Sequence, residues 1–261
     1  MFFPLIKVLN LKGFLELSYL PPNNWENHES RSINLYLLWP NSDRWNSAFW
    51  GVIKYGETIR IETSSVDPHI LESGLCLVYP TVNLIAPKLE LLPEIPFWYS
   101  NIPEWRCTSG LLNELSQTSY QSEIYPLPTK ASMLTFHPFI QFNEIDNYLL
   151  ILNVIREPKV VPHEIELFNS ANLKKHGVAT IRTNSASVIE LDQFGYTPSD
   201  LPLFVSRRMA GIPFGLGVAR DGSMISLEHT HPPASLVLFG KRNQVQGKIK
   251  KNWLQRVGDS N

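Results

Sequence analysis

Charge is scarce in this chain. Lys, Arg, Asp and Glu make up 18% of its 261 residues, against about 25% in an ordinary globular domain. The formal net charge is −1, so no global field draws in nucleic acid or an acidic membrane. Cysteine is scarcer still. Cys76 and Cys107 are the whole complement, which excludes a disulfide-stapled framework and leaves two buried, apolar thiols as the expectation. No run approaches the ~18 uncharged apolar residues of a membrane span. The opening MFFPLIKVL is apolar, but no basic segment precedes it and no small-residue cleavage site closes it. It reads as a strand and not a signal peptide, with the cytoplasm as the default compartment. Nucleotide loops are missing too: after Gly215-Leu216-Gly217, Arg220 stands where a third glycine is needed. Thr108-Ser109-Gly110 lacks the flanking glycines of a nucleophile elbow.

What is present points to strands. Hydrophobic residues reach 43%, enough for a substantial core, and short β-rich runs recur between turns. Ile33–Trp39, Ala48–Ile53, Thr58–Thr63 and Leu75–Tyr79 fill the first third. Met133–Ile140, Tyr148–Ile155, Val178–Thr183, Ser187–Leu191 and Met224–His229 follow. Ile59 and Ile61 alternate with Arg60 and Glu62, the mark of a half-buried strand. The length and apolarity of Tyr148–Ile155 give it a central place. Ser109 is placed to cap a short helix over Leu111–Leu115, Pro202–Arg208 reads as another, and 211–217 as a tight loop. The expected class is mainly β, sandwich- or barrel-like with a few short helices, with α+β as the alternative. Prolines 87, 93, 96 and 103 among Phe97, Trp98, Tyr99 and Trp105 mark the best boundary. It divides a β-sandwich-like unit, 1–95, from a larger β-rich unit, 96–261, unless the two form a single domain.

The basic residues are concentrated at the end. Residues 229–261 hold six Lys or Arg against one acid, which leaves a surplus of six acids elsewhere. Val245, Ile249, Trp253 and Val257 recur every four residues among Lys248, Lys250, Lys251 and Arg256, the pattern of a basic amphipathic helix. Such a helix docks on the body or offers residues 245–257 to a protein partner, with no specific nucleic acid expected.

Three groups carry candidate chemistry. His229 and His231 fall two apart at the end of a strand-like run, so their imidazoles share a face and suit one divalent metal, zinc or iron. His137 is a candidate third ligand, with His69, Glu166 and Glu190 also available. Glu228 is the candidate general base for a metal-dependent hydrolase, although the strand period turns it to the opposite face. His229-Thr230-His231-Pro232 resembles the histidine tetrad of JAB/MPN-type zinc isopeptidases, but Phe239 and Arg242 replace that family's following Ser and Asp. Finally, Gln117, Tyr120, Gln121 and Glu123 lie in a run of hydrogen-bonding side chains suited to sugar hydroxyls. The leading expectation is a protein that binds or processes a small polar ligand, such as a carbohydrate, near the His229/His231 strand end. The alternative is a non-catalytic subunit of an assembly, docking through aromatic surface and the basic C-terminal helix.

Overall fold

The computed structural model describes residues 1–20, 32–94, 105–137, 144–197, 199–229 and 242–258. Within them the chain forms four antiparallel sheets and one α-helix. The first sheet has the order β1-β6-β3-β4-β7, from Phe3–Ile6 (β1), Leu75–Thr81 (β6), Ser32–Asn41 (β3), Arg44–Lys54 (β4) and Lys88–Leu89 (β7). The second, β5-β2-β8-β9, uses Thr58–Glu62 (β5), Lys12–Tyr19 (β2), Trp105–Leu112 (β8) and Gln117–Gln121 (β9). The third, β14-β11-β16-β17, uses Ser185–Glu190 (β14), Ile145–Asn153 (β11), Ile212–Ala219 (β16) and Ile225–His229 (β17). The fourth, β10-β15-β12-β13, uses Met133–Phe136 (β10), Pro202–Ser206 (β15), Pro162–Asn169 (β12) and Lys175–Arg182 (β13). Helix α1 is Arg242–Gly258.

Four apolar layers show how these sheets stack. Leu15, Leu17 and Ile61 of the second sheet meet Leu35, Leu37 and Val78 of the first. The other face of the first sheet, with Tyr36, Leu38 and Leu77, meets Leu150, Leu152, Phe214 and Leu227 of the third. Leu149 and Ile151, alternating with those residues on β11, turn to Ile165, Leu167 and Phe204 of the fourth. The outer face of the fourth sheet, Phe168, Leu203 and Val205, is closed by Val257, Trp253 and Leu254 of α1. The first and third sheets are therefore covered on both faces. This is why Leu35–Trp39 and Leu149–Asn153 are buried without a break and do not alternate.

The expected division near residue 95 falls among residues outside the described set. Across it, β2 and β8 pair over their whole lengths, and one apolar layer joins Phe2 and Leu38 to Leu152 and Phe214.

The mainly β class holds, and three local expectations are corrected. Ser109 caps no helix. It sits inside β8, fully buried, donating its hydroxyl to the Pro4 carbonyl at 2.6 Å or sharing a proton with Ser122 Oγ at 2.6 Å. Asn113 makes the turn: its Oδ1 accepts from the amides of Leu115 and Ser116 at 2.9 and 2.8 Å, which closes a β8–β9 hairpin. Pro202–Arg208 is also not helical, because Leu203 and Val205 face α1 while Phe204 faces the inner layer, a period of two. Finally, 212–219 is a strand between β11 and β17, and its glycines serve close packing, not a loop. At Gly13 the reason for glycine is plain: a Cβ there would stand 1.7 Å from the Ile6 carbonyl oxygen.

The basic tail is helical as expected, but only part of its apolar stripe is docked. Val257 is fully buried and Trp253 packs beside it, whereas Ile249 keeps 37% of its surface in water. Lys250 fills the docked side with its stem and donates its ammonium to the Ser132 carbonyl. Among the described residues no helix is long and apolar enough to cross a membrane.

Candidate functional site

The predicted histidine site is divided by its own strand. In the β16–β17 ladder Phe214 faces His229, with ring centroids 4.9 Å apart, and Gly215 faces Glu228. Cross-strand partners share a face and neighbours alternate, so Glu228 and His229 point to opposite sides. His137, which follows β10, stands on the Glu228 side. A Cβ built on Gly215 would lie 3.3 Å from His137 Nδ1 and 3.8 Å from the Glu228 Cβ. Gly215 is thus the floor of a narrow space between an imidazole and a carboxylate-bearing side chain. Any larger residue would press on that imidazole.

His137 is 3% exposed. Burial, and then the charge of nearby His229, pushes its pKa down from 6.5 to about 4. A proton held there would have little solvation, so the ring is neutral at pH 7 and suited to accept a hydrogen bond or ligate a metal. Glu228 is exposed. His231, the remaining predicted ligand, lies outside the described residues. Among the described residues no group of three or more His, Cys, Asp or Glu side chains is gathered to hold a metal ion. Of the other available ligands, Glu166 is bound to Lys175 and Arg207, and His69 to Asp67.

The polar segment forms a second, better defined arrangement. Among the described residues strand β9 is the edge of its sheet, with one face toward the third sheet and the other toward the surface. Alternation sends Gln117, Ser119 and Gln121 outward and Tyr120 inward. The Tyr120 ring lies 4.5 Å from Phe214, which links it to His229 on the same side of β16. Burial raises the pKa of its phenol, so it stays protonated at any physiological pH.

At the far end of β9, Gln121 and Glu123 line a cavity of about 370 Å³ with Trp105, Arg106 and Tyr125. Thr108 pairs with Gln121, and the Ser122 amide donates to the Cys107 carbonyl at 2.9 Å. Continuing that register sets Arg106 opposite Glu123. Arg106, Gln121 and Glu123 are exposed, and none has an ion pair or side-chain hydrogen bond among the described residues. Trp105 is held in place by Tyr19, stacked at 4.3 Å and 14°. Behind them Cys107 is buried, and desolvation pushes its thiol up to about 12, so it is inert.

Gln121 and Glu123 therefore come together, Tyr120 joins the histidine side, and Gln117 stands at the opposite end of the strand. Trp105, Arg106 and Tyr125 went unrecognised in the sequence. A hairpin turned at Asn113 would have revealed Arg106, because counting back from the turn pairs it with Glu123. No family model, no curated protein and no solved structure matches the chain.

Proposed function

We propose that the chain binds a neutral, hydroxylated small molecule, about one sugar ring in size, in the groove at the end of the β8–β9 hairpin. The observation that carries this reading is the meeting of Gln121, Glu123 and Arg106, all with free hydrogen-bonding groups, beside the rings of Trp105 and Tyr125. A carboxylate accepts from adjacent hydroxyls, a guanidinium donates to ring and hydroxyl oxygens, and an amide does both. The indole offers an apolar face to the C–H side of a sugar. The volume lies at the low end of ligand pockets, about 300–1,000 Å³.

The test is a titration of the whole chain with a panel of neutral monosaccharides, followed by tryptophan fluorescence and ligand-observed NMR. A sugar that binds wild type and loses about ten-fold in affinity on Glu123→Gln, near the 1.4 kcal/mol of one charge-assisted hydrogen bond, supports the reading. A panel that leaves Trp105 fluorescence and ligand signals unmoved refutes it, as does binding indifferent to Glu123→Gln.

A second reading is metal-assisted hydrolysis at the histidines. What favours it is the placing of neutral His137 and Glu228 around Gly215. Stoichiometric zinc or iron in purified protein, lost in His137→Gln and in Glu228→Gln, would support it. Metal-free protein that takes up no added zinc would end it.

A further inference from the structure

Helix α1 covers Phe168 and Leu203 on the outer face of the fourth sheet. Among the described residues the same face also carries an open groove of about 660 Å³, with Glu164 and Glu166 of β12, Thr180 of β13, Val205 of β15, and Arg207 and Arg208 just beyond it. Its charges fall into two sets. Glu166 is largely buried and already satisfied: Lys175 Nζ donates to one oxygen at 2.8 Å and Arg207 Nε to the other at 2.9 Å. Burial alone would raise its pKa, but these two hydrogen bonds bring it below the usual carboxylate value. Glu166 thus stays ionised and fixes Arg207 by its Nε, while the Arg207 side chain remains 43% exposed.

Glu164 and Arg208 form the second set. Both are exposed, and neither has an ion pair or side-chain hydrogen bond among the described residues, with each other or with any other group. One free cation and one free anion in the same groove complement a ligand bearing one of each. A plain anion would meet repulsion from Glu164, and a plain cation from Arg208. Thr180 stands directly opposite Glu164 in the ladder and adds a hydroxyl, while Val205 supplies an apolar floor.

We propose that this groove binds a small zwitterion of the amino-acid type, a free α-amino acid or a short peptide, with its carboxylate on Arg208 and the outer edge of Arg207 and its ammonium on Glu164. The guanidinium fork matches the planar carboxylate, and the Glu164 carboxylate, beside the Thr180 hydroxyl, receives the ammonium protons. The site is separate from the hairpin groove and does not depend on what binds there.

Glycine, diglycine and triglycine serve as probes, titrated against the whole chain by calorimetry and NMR at low salt. Their N-acetylated and C-amidated forms are the controls. One length binds best and reports the distance between the two charges, which separates a free amino acid from a peptide. Removing either end charge weakens it about ten-fold or more, and added salt weakens it further. Glu164→Gln abolishes the preference for a free amine, and Arg208→Gln abolishes the preference for a free carboxylate. Both positions are exposed, so both variants keep the wild-type melting curve, and Glu123→Gln leaves this binding unchanged. Equal affinity for the free and capped forms overturns the proposal, as does an absence of heat and shift changes with all three peptides.

Discussion

Lowering the pH from about 7.5 to about 5 protonates His137 in the unfolded chain but not in the folded one. The unfolded imidazole has the ordinary value of 6.5, and the folded one lies near 4 because it is buried and lies within reach of the charge of His229. The unfolded state therefore binds more protons between these values, and stability falls as pH falls through that window. The gap, at about 1.4 kcal/mol per unit, sets a ceiling of about 3 kcal/mol, of which about 2 kcal/mol is lost by about pH 5. Carboxylates held down by partners, such as Glu166 and Asp200, act below this range, because their folded values lie under the ordinary 4.5 and 3.8. The measurement is urea unfolding of wild type and His137→Gln at the two pH values. Glutamine keeps a polar group there and does not titrate, so the wild type should lose about 2 kcal/mol more than the variant. NMR titration of the His137 ring in wild type gives an independent check, with a midpoint near 4 expected. Equal pH sensitivity in both proteins, or a midpoint near 6.5, would show that the ring is reached by water and that the space over Gly215 is open.

Other perturbations follow from the same layers. Val257→Ala empties a fully buried position between α1 and the outer sheet and should cost about 2 kcal/mol. Ile249→Ala, on the exposed flank, should cost under about 0.5 kcal/mol. Similar losses in chemical denaturation would mean the helix is docked by a different face. Cys76 and Cys107 are both buried with raised thiol pKa values, so a thiol reagent should label neither in the native protein and both in denaturant. Rapid native labelling of Cys107 would contradict the packing behind the hairpin groove. Gly13→Ala drives a Cβ into the Ile6 carbonyl and should abolish cooperative melting by circular dichroism; a melting curve like wild type would rule out so close an approach of β1 and β2.

Strands with one wet face were readable because alternation is a local property. Thr58–Glu62 shows it, and the β2–β5 ladder bears it out. Strands buried on both faces were readable for the opposite reason: Leu149–Asn153 is too apolar to belong anywhere but the middle of the stack. What escaped were segments whose local chemistry favours something else. Residues 109–121 are polar and helix-neutral, and only the Asn113 turn with the buried Ser109–Ser122 contact makes them a hairpin. Residues 212–219 carry loop-like glycines, yet two neighbouring strands pin them, and Gly215 is small because His137 occupies the space above it. The candidate sites follow the same division. Gln121 and Glu123 could be chosen by residue type, whereas Arg106 required the pairing register.

The helix stripe shows how a correct pattern can still point the wrong way. Successive residues on an α-helix turn by about 100°, so positions four apart drift by about 40° per step and do not form a straight line. Val245, Ile249, Trp253 and Val257 therefore wind from the flank of α1 to its docked face. Burial follows that winding, from 37% exposed at Ile249 to none at Val257. Lys250 and Leu254 belong to the docked face although neither is in the stripe. Lys248 and Lys251 fall on the far side, exposed and without an ion pair among the described residues. Among the described residues the contacts between this basic helix and the body are the apolar layer around Val257 and the Lys250 hydrogen bond, with no salt bridge, so high salt should leave it docked. Release of Trp253 fluorescence to a water-exposed spectrum at about 1 M salt would show instead that the acidic body holds the helix by charge.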